Sequence, residues 1–190
     1  MSSDEALAAN QRVREDLAAS YRGLEHYGQG EGIDNHLTAM APARNGNGQV
    51  MLTLPYGIHW SQVTASSLVG VDIHSKEVVE GTGKPQDSGV DIHSAVYRLK
   101  GEDIKSVMHT HPPYTTALGC LKDPSLKMVH QPSMRFFGRV SYDRHYGGTG
   151  HMGDEGARVA GCLGDSEILV MCNHGVMSVG KTVARAFDSI

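Results

Sequence analysis

Residues 105–113 read KSVMHTHPP, placing two histidines two positions apart at the end of an apolar run and then two prolines. The run Ile104–Met108 has β-branched and apolar character with a partial period of two, which predicts a strand. In a strand, residues i and i+2 point to one face with Cα atoms roughly 6.6 Å apart, so His109 and His111 project side by side. Pro112 cannot donate to a sheet ladder, so the pairing ends there and both rings face a loop. Two imidazoles so placed can close on one metal ion, each nitrogen about 2.0–2.1 Å from zinc. They can equally be two surface histidines, and H-x-H alone does not separate these readings. A third histidine, His174, ends the continuous apolar run Ile168–Cys172, which reads as a buried central strand. Gly175 behind it offers freedom at a turn. Three neutral imidazoles leave a coordination position open, as catalytic rather than structural sites do. The competing reading is a hairpin cap.

The elements that must position these rings follow from local pattern. Residues 4–27 read as a helix. A short strand lies near His36–Met40, and the turn signal ARNGNGQ between LTAMAP and VMLTLP predicts a hairpin. TASSLVGVDIHSKEVVEG gives a helical turn, a strand, a turn at His74–Lys76 and another strand. After the loop TGKPQDSG, the spacing of Ile92, Ala95, Val96 and Leu99 is helical, and a further helix runs from about Pro113 to Leu121. RFFGRVSY is a candidate strand, and GDEGARVAGCLGD a short helix with Asp154 as its cap. SEILVMCNHGVMSVG forms two strands, and TVARAFDSI begins a helix. With no repeat and no linker, residues 1–190 read as one mixed α/β domain.

Composition narrows the function. The chain has 190 residues, 39% hydrophobic and 20% charged, which allows a core burying roughly 70% of its surface. A net charge of −4 and the absence of a Lys/Arg-rich run argue against nucleic-acid binding. No apolar stretch approaches the roughly 20 residues that span a bilayer, and the polar N-terminus is unlike a secretory signal. Cys120, Cys162 and Cys172 lack metal or disulfide spacing and are expected reduced and buried in a cytoplasmic protein. Eleven histidines is a high count, but His26, His36, His59, His74, His130, His145 and His151 are expected on the surface or in loops. His93 is expected to pack or cap near the site.

MHTHPPYTTAL, followed later by LVMCNHGVMSVGKTVARAF, resembles the class II aldolase/adducin family. The resemblance runs from about Tyr21 to Ile190, and its most specific pieces are HTH, NHG and DIHSAVYRLKGEDIKSVMHTH. That family includes sugar-phosphate aldolases, a pentose-phosphate epimerase, decarboxylases and the non-enzymatic head domain of adducin. The resemblance implies a three-layer α/β/α sandwich around a mixed, largely antiparallel central sheet. It makes His109, His111 and His174 ligands of a divalent metal, with zinc first and manganese, iron or cobalt also suited to imidazole. It further implies a small-molecule substrate and a homotetramer with active sites at subunit boundaries.

The departures from that family shape the functional expectation. The aldolases carry a catalytic glutamate four residues before the position of His93, where this chain has Gly89. Asp87 and Asp91 flank the gap and are the carboxylates that could serve as catalytic groups, against readings as a helix cap or a solvated charge. Where the family places hydroxyl residues for phosphate, this chain has Asp87 and Ser88; where it places Thr-Gly, this chain has Tyr56-Gly57. A carboxylate repels a unit anion by about 1 kcal/mol at 4 Å in water, which predicts a non-phosphorylated substrate. Asn35 stands where the family's asparagine holds substrate, and Gly57 and Ser88 remain substrate-side positions. An assisting tyrosine corresponds to Gln131. Arg135 could pair bidentately with a substrate carboxylate, against a surface salt bridge. The chain ends at Ile190 where family members continue for several helices. Both LPYGIHWSQVTASSLVGVD and Gly89 resemble the adducin side. The expected function is metal-dependent C–C cleavage, decarboxylation or retro-aldol, in a small hydroxy/keto acid or carbonyl compound through a stabilised enolate. The alternative is a non-catalytic adducin-like assembly or binding module; oxygen chemistry at Fe(II) is a third.

Overall fold

Every strand among the described residues joins one sheet, in the order β4-β3-β2-β1-β5-β8-β7-β6. The computed structural model describes residues 2–148 and 155–190, so the expected cap Asp154 and His151 lie outside the described residues. The strands are β1 (His36–Pro42), β2 (Gln49–Thr53), β3 (Val69–Val71), β4 (Val78–Glu80), β5 (Ser106–Thr110), β6 (Val140–Asp143), β7 (Ile168–Met171) and β8 (Gly175–Gly180). All neighbours pair antiparallel except β6 with β7. The helices are α1 (Ser3–His26), α2 (Asp87–Lys100), α3 (Pro113–Gly119), α4 (Gln131–Met134), α5 (Glu155–Leu163) and α6 (Val183–Ser189). The expected three-layer α/β/α sandwich is what forms.

Strand alternation divides the core between the two faces. Leu37, Ala39 and Ala41 of β1 and Met108 of β5 pack with Leu17, Tyr21 and Leu24 of α1 and Ala186 of α6. Val107, Met177 and Val179 of the same sheet pack on the opposite face with Val96 and Tyr97 of α2 and Val159 and Leu163 of α5. Residues of odd number in β5 and even number in β1 therefore look towards α2, and this is the face on which the histidines gather.

Helix α1 begins with a capping box in which Ser2 and Glu5 satisfy each other's main-chain N–H. Its Tyr21 repairs a gap in the sheet. The β1–β2 ladder starts at Ala39 and Leu52, leaving Leu37 beyond it. The Tyr21 hydroxyl donates to Leu37 O at 2.6 Å and accepts from Leu37 N at 3.1 Å. This holds the beginning of β1 in place, next to His36.

Local differences from the sequence expectation have local causes. Asp87–Gly89, expected in a loop, form the first turn of α2. RFFGRVSY is extended only from Val140, because Pro132 opens the short helix α4 and Arg135 caps it. Leu99 is exposed, whereas Ile92, Ala95 and Val96 are buried. Cys120 is exposed, Cys162 intermediate and Cys172 buried, so burial holds for one of the three. Tyr21→Phe will leave the buried Leu37 N–H without its acceptor. We expect a loss of about 1–3 kcal/mol, read as a lower urea midpoint at unchanged m-value.

Candidate metal centre

Antiparallel pairing brings together histidines that are far apart in the chain. His109 sits in β5 opposite His36 in β1 on one side and Met177 in β8 on the other. It is buried, and its Nδ1–H donates to Val176 O at 2.9 Å, leaving Nε2 as its free ligand atom. His111 follows β5 by one residue, and its main-chain N–H donates to Asn35 Oδ1 at 2.9 Å. His174 stands in the β7–β8 turn, where Asn173 takes the left-handed conformation at φ 59° and His174 N donates to Met171 O. One ligand atom from each of His109, His111 and His174 lies within 4.8 Å of the others, and His109 Nε2 is 3.0 Å from His111 Nε2. Two nitrogens each about 2.0–2.1 Å from a tetrahedral ion would stand roughly 3.3 Å apart, so His109 and His111 are near ligating separation and three imidazoles of this kind suit a divalent cation once the His174 ring closes in.

Gly175 makes this approach feasible, for a reason other than turn freedom. A Cβ on it would lie 2.5 Å from His111 Cδ2, 2.6 Å from Thr110 O and 3.1 Å from His109 Cε1. Its φ is not left-handed; it is glycine because two imidazoles and a main-chain carbonyl occupy the side-chain volume.

Burial lowers all three imidazoles from their ordinary value of 6.5. His109 falls well below it through desolvation and then through neighbouring histidines. His174 is brought down to about 4 by burial, then by His111. Neutral imidazole is the ligating form, so the desolvated site is prepared for a cation at neutral pH.

Behind the three lies a second pair, of which the sequence reading put His93 near the site and His36 elsewhere. His36, expected on the surface or in a loop, is buried, with its ring centroid 4.8 Å from that of His109. Its Nδ1 is 2.9 Å from His93 Nε2, His93 Nδ1 is 2.8 Å from Thr38 Oγ1, and Thr38 Oγ1 is 2.9 Å from the Tyr97 hydroxyl. Burial lowers His36 and His93 well below 6.5 too. The available signal was periodicity: His36 and Thr38 share a strand face, and His93 and Tyr97 a helix face.

A cavity of 280 Å³ opens in front of these rings, lined by Asp34, Gln86, Ser88, Asp143, Arg158 and His174 among others. A second cavity of 170 Å³ holds Asn35 and Gly57, and His36 and Gln86 border both. Ser88 lines the first cavity and Gly57 the second. Asn35 is engaged internally, accepting from His111 N and donating to Glu31 O. The two aspartates expected as catalytic groups stand away from both cavities. Asp87 is exposed and paired with Lys84, Asp91 pairs with Lys76, and neither lines either cavity. Arg135 is also elsewhere, paired with Asp188 and over the Phe136 ring. Arg158, which the sequence reading missed, is the cavity's guanidinium among the described residues. Both Asp143 and Glu155 accept its hydrogen bonds. No motif marks it; the parallel β6–β7 pairing and the packing of α5 bring it to the cavity.

An eight-stranded mixed sheet between helical layers, with histidines at its strand ends, is the class II aldolase architecture. A crystal structure of an aldolase II superfamily protein from Pseudomonas syringae matches with a TM-score of 0.85 and 32% identity, covering 97% of this chain and 73% of that one. The chain belongs to the class II aldolase and adducin family: the family described as Class II Aldolase and Adducin N-terminal domain matches residues 15–190. An adducin-related protein of Schizosaccharomyces pombe is 33% identical over 181 residues, covering 92% of this chain and 54% of the relative. A putative aldolase class 2 protein of Pseudomonas aeruginosa is 33% identical over 180 residues, covering 95% and 67%. The chain thus spans little more than half the length of the first of these relatives.

Two outcomes follow from the geometry. Gly175→Ala should lower divalent-metal content as far as His109→Ala does, read by metal analysis after dialysis and by far-UV circular dichroism to establish folding. Because the buried histidines stay neutral when folded, the unfolded chain binds more protons as pH falls below 6.5. Metal-free protein will be most stable above about pH 7 and lose stability on acidification, seen as a urea midpoint lower at about pH 5.5 than at about pH 7.5.

Proposed function

We propose that this chain is a divalent-metal-dependent carbon–carbon lyase acting on a small, non-phosphorylated hydroxy or keto acid. The observation that carries this reading is the convergence of three neutral imidazoles, two of which, His111 and His174, line the adjoining cavity. His109, His111 and His174 would hold the ion, zinc first, with manganese, iron or cobalt also suited to imidazole. When bound, such an ion polarises a carbonyl and stabilises an adjacent enolate.

The surrounding side chains favour decarboxylation over retro-aldol cleavage. Retro-aldol chemistry needs a base to take a hydroxyl proton, whereas loss of CO2 needs only an electron sink. Position 89 has no carboxylate, and the carboxylates of Asp143 and Glu155 are committed to Arg158. Arg158 keeps positive charge at the cavity wall and is placed to attract an anionic substrate, although its two carboxylate partners limit that pull. Ser88 and Gln86 offer hydrogen bonds to substrate oxygens. Asp34 also lines the cavity and repels a dianionic phosphate more strongly than a singly charged carboxylate.

The adducin-related relative and the missing carboxylate favour a second reading, a non-catalytic assembly module on the same scaffold. Exposed Tyr114, Val129 and Phe137, at 90%, 81% and 73%, fit a homotetramer on either reading. Protein loaded with zinc or manganese should release CO2 from one of a panel of β-keto acids, with and without an α-hydroxyl, and EDTA or His174→Ala should bring the rate to background. A tightly held ion with no turnover across that panel would favour the assembly module. Light scattering after gel filtration should give four times the chain mass, and Phe137→Glu should reduce it.

A further inference from the structure

Gly89 and His36 belong to one packing unit. A Cβ built on Gly89 would lie 2.8 Å from His36 Cγ, 2.9 Å from Cδ2 and 3.2 Å from Cβ. Those atoms are the root of the side chain, so a rotation at its tip cannot relieve the clash. The ring is also tethered: Nδ1 is joined to His93 Nε2 at 2.9 Å, and His93 is itself fully buried and held by Thr38. His36 therefore fills the volume in which any side chain at position 89 would begin.

With Nδ1 taken, the polar atom that His36 offers to its surroundings is Nε2. The residue borders both cavities, and its ring is tilted 37° against that of His109 at 4.8 Å. No described residue hydrogen-bonds to Nε2, and it is not among the buried atoms left without a partner. The side chain that borders the cavity beside the three-histidine face is thus an imidazole, where a carboxylate on α2 cannot fit.

We propose that His36 is a substrate-contacting residue whose Nε2 hydrogen-bonds an oxygen of a ligand held at the three-histidine centre, and that position 89 is glycine to seat its ring. The contact rests on the metal-centre reading; the seat does not. The ligand class is a small oxyacid or hydroxycarbonyl with two adjacent oxygens, one towards the centre and one towards His36.

The test has two arms. In metal-free protein, overpacking makes Gly89→Ala lower the melting temperature by roughly 4–10 °C, but by less than about 2 °C in a His36→Ala background. Equal losses in both backgrounds would overturn the seat. In protein loaded with Co2+, oxalate binding is followed through the visible absorption bands. His36→Ala should weaken oxalate at least tenfold while Co2+ affinity stays within about threefold, and His36→Gln, which keeps a polar atom near Nε2, should restore most of it. Unchanged oxalate affinity in His36→Ala, or a matching fall in Co2+ affinity, would overturn the contact. Failure of the unaltered chain to bind Co2+ would instead overturn the centre itself and the contact with it, leaving the seat to the first arm.

Discussion

The β1–β5 ladder sets His36 opposite His109, and the β5–β8 ladder sets His109 beside the strand that begins at Gly175. Because side chains alternate along a strand, a one-residue slip in either ladder would turn an imidazole to the α1 face. The centre depends on this register more than on any one contact. Tyr21 on Leu37 and Asn35 on the His111 main chain hold the ends of the register where the ladder itself supplies no bond.

The electrostatics follow from that packing. Five imidazoles in a small buried region cannot all carry charge, since desolvation and mutual repulsion both oppose protonation. The cluster is held neutral, and its lone pairs are directed by hydrogen bonds to Val176 O and along the His36–His93–Thr38–Tyr97 series. A neutral cluster of imidazole nitrogens is a poor stabiliser of the fold by itself and chemically suited to ligate a cation.

Family membership leaves the chemistry open, since relatives carry both aldolase and adducin names. What separates this chain from carboxylate-based catalysis is steric as well as chemical. The glycine at 89 faces the root of an anchored imidazole, so the missing carboxylate is not a vacancy that a neighbouring aspartate fills. Asp87 and Asp91 are turned to Lys84 and Lys76 instead.

The order of residues alone determined the strand ending at HTHPP, the strand ending before His174 and the helices between. Proline, glycine and two-residue or helical periodicity act locally, so they can be read without the fold. With the family resemblance, the same order named the three histidines and the layered sheet. Only the tertiary structure decided that His36 joins His93 behind the centre, that Arg158 rather than Arg135 faces the cavity, and that Gly175 and Gly89 yield space to rings. Those facts depend on strand register and on helices packing across the sheet. His36 and His93 meet from 57 positions apart, a separation over which a local pattern carries no directional information.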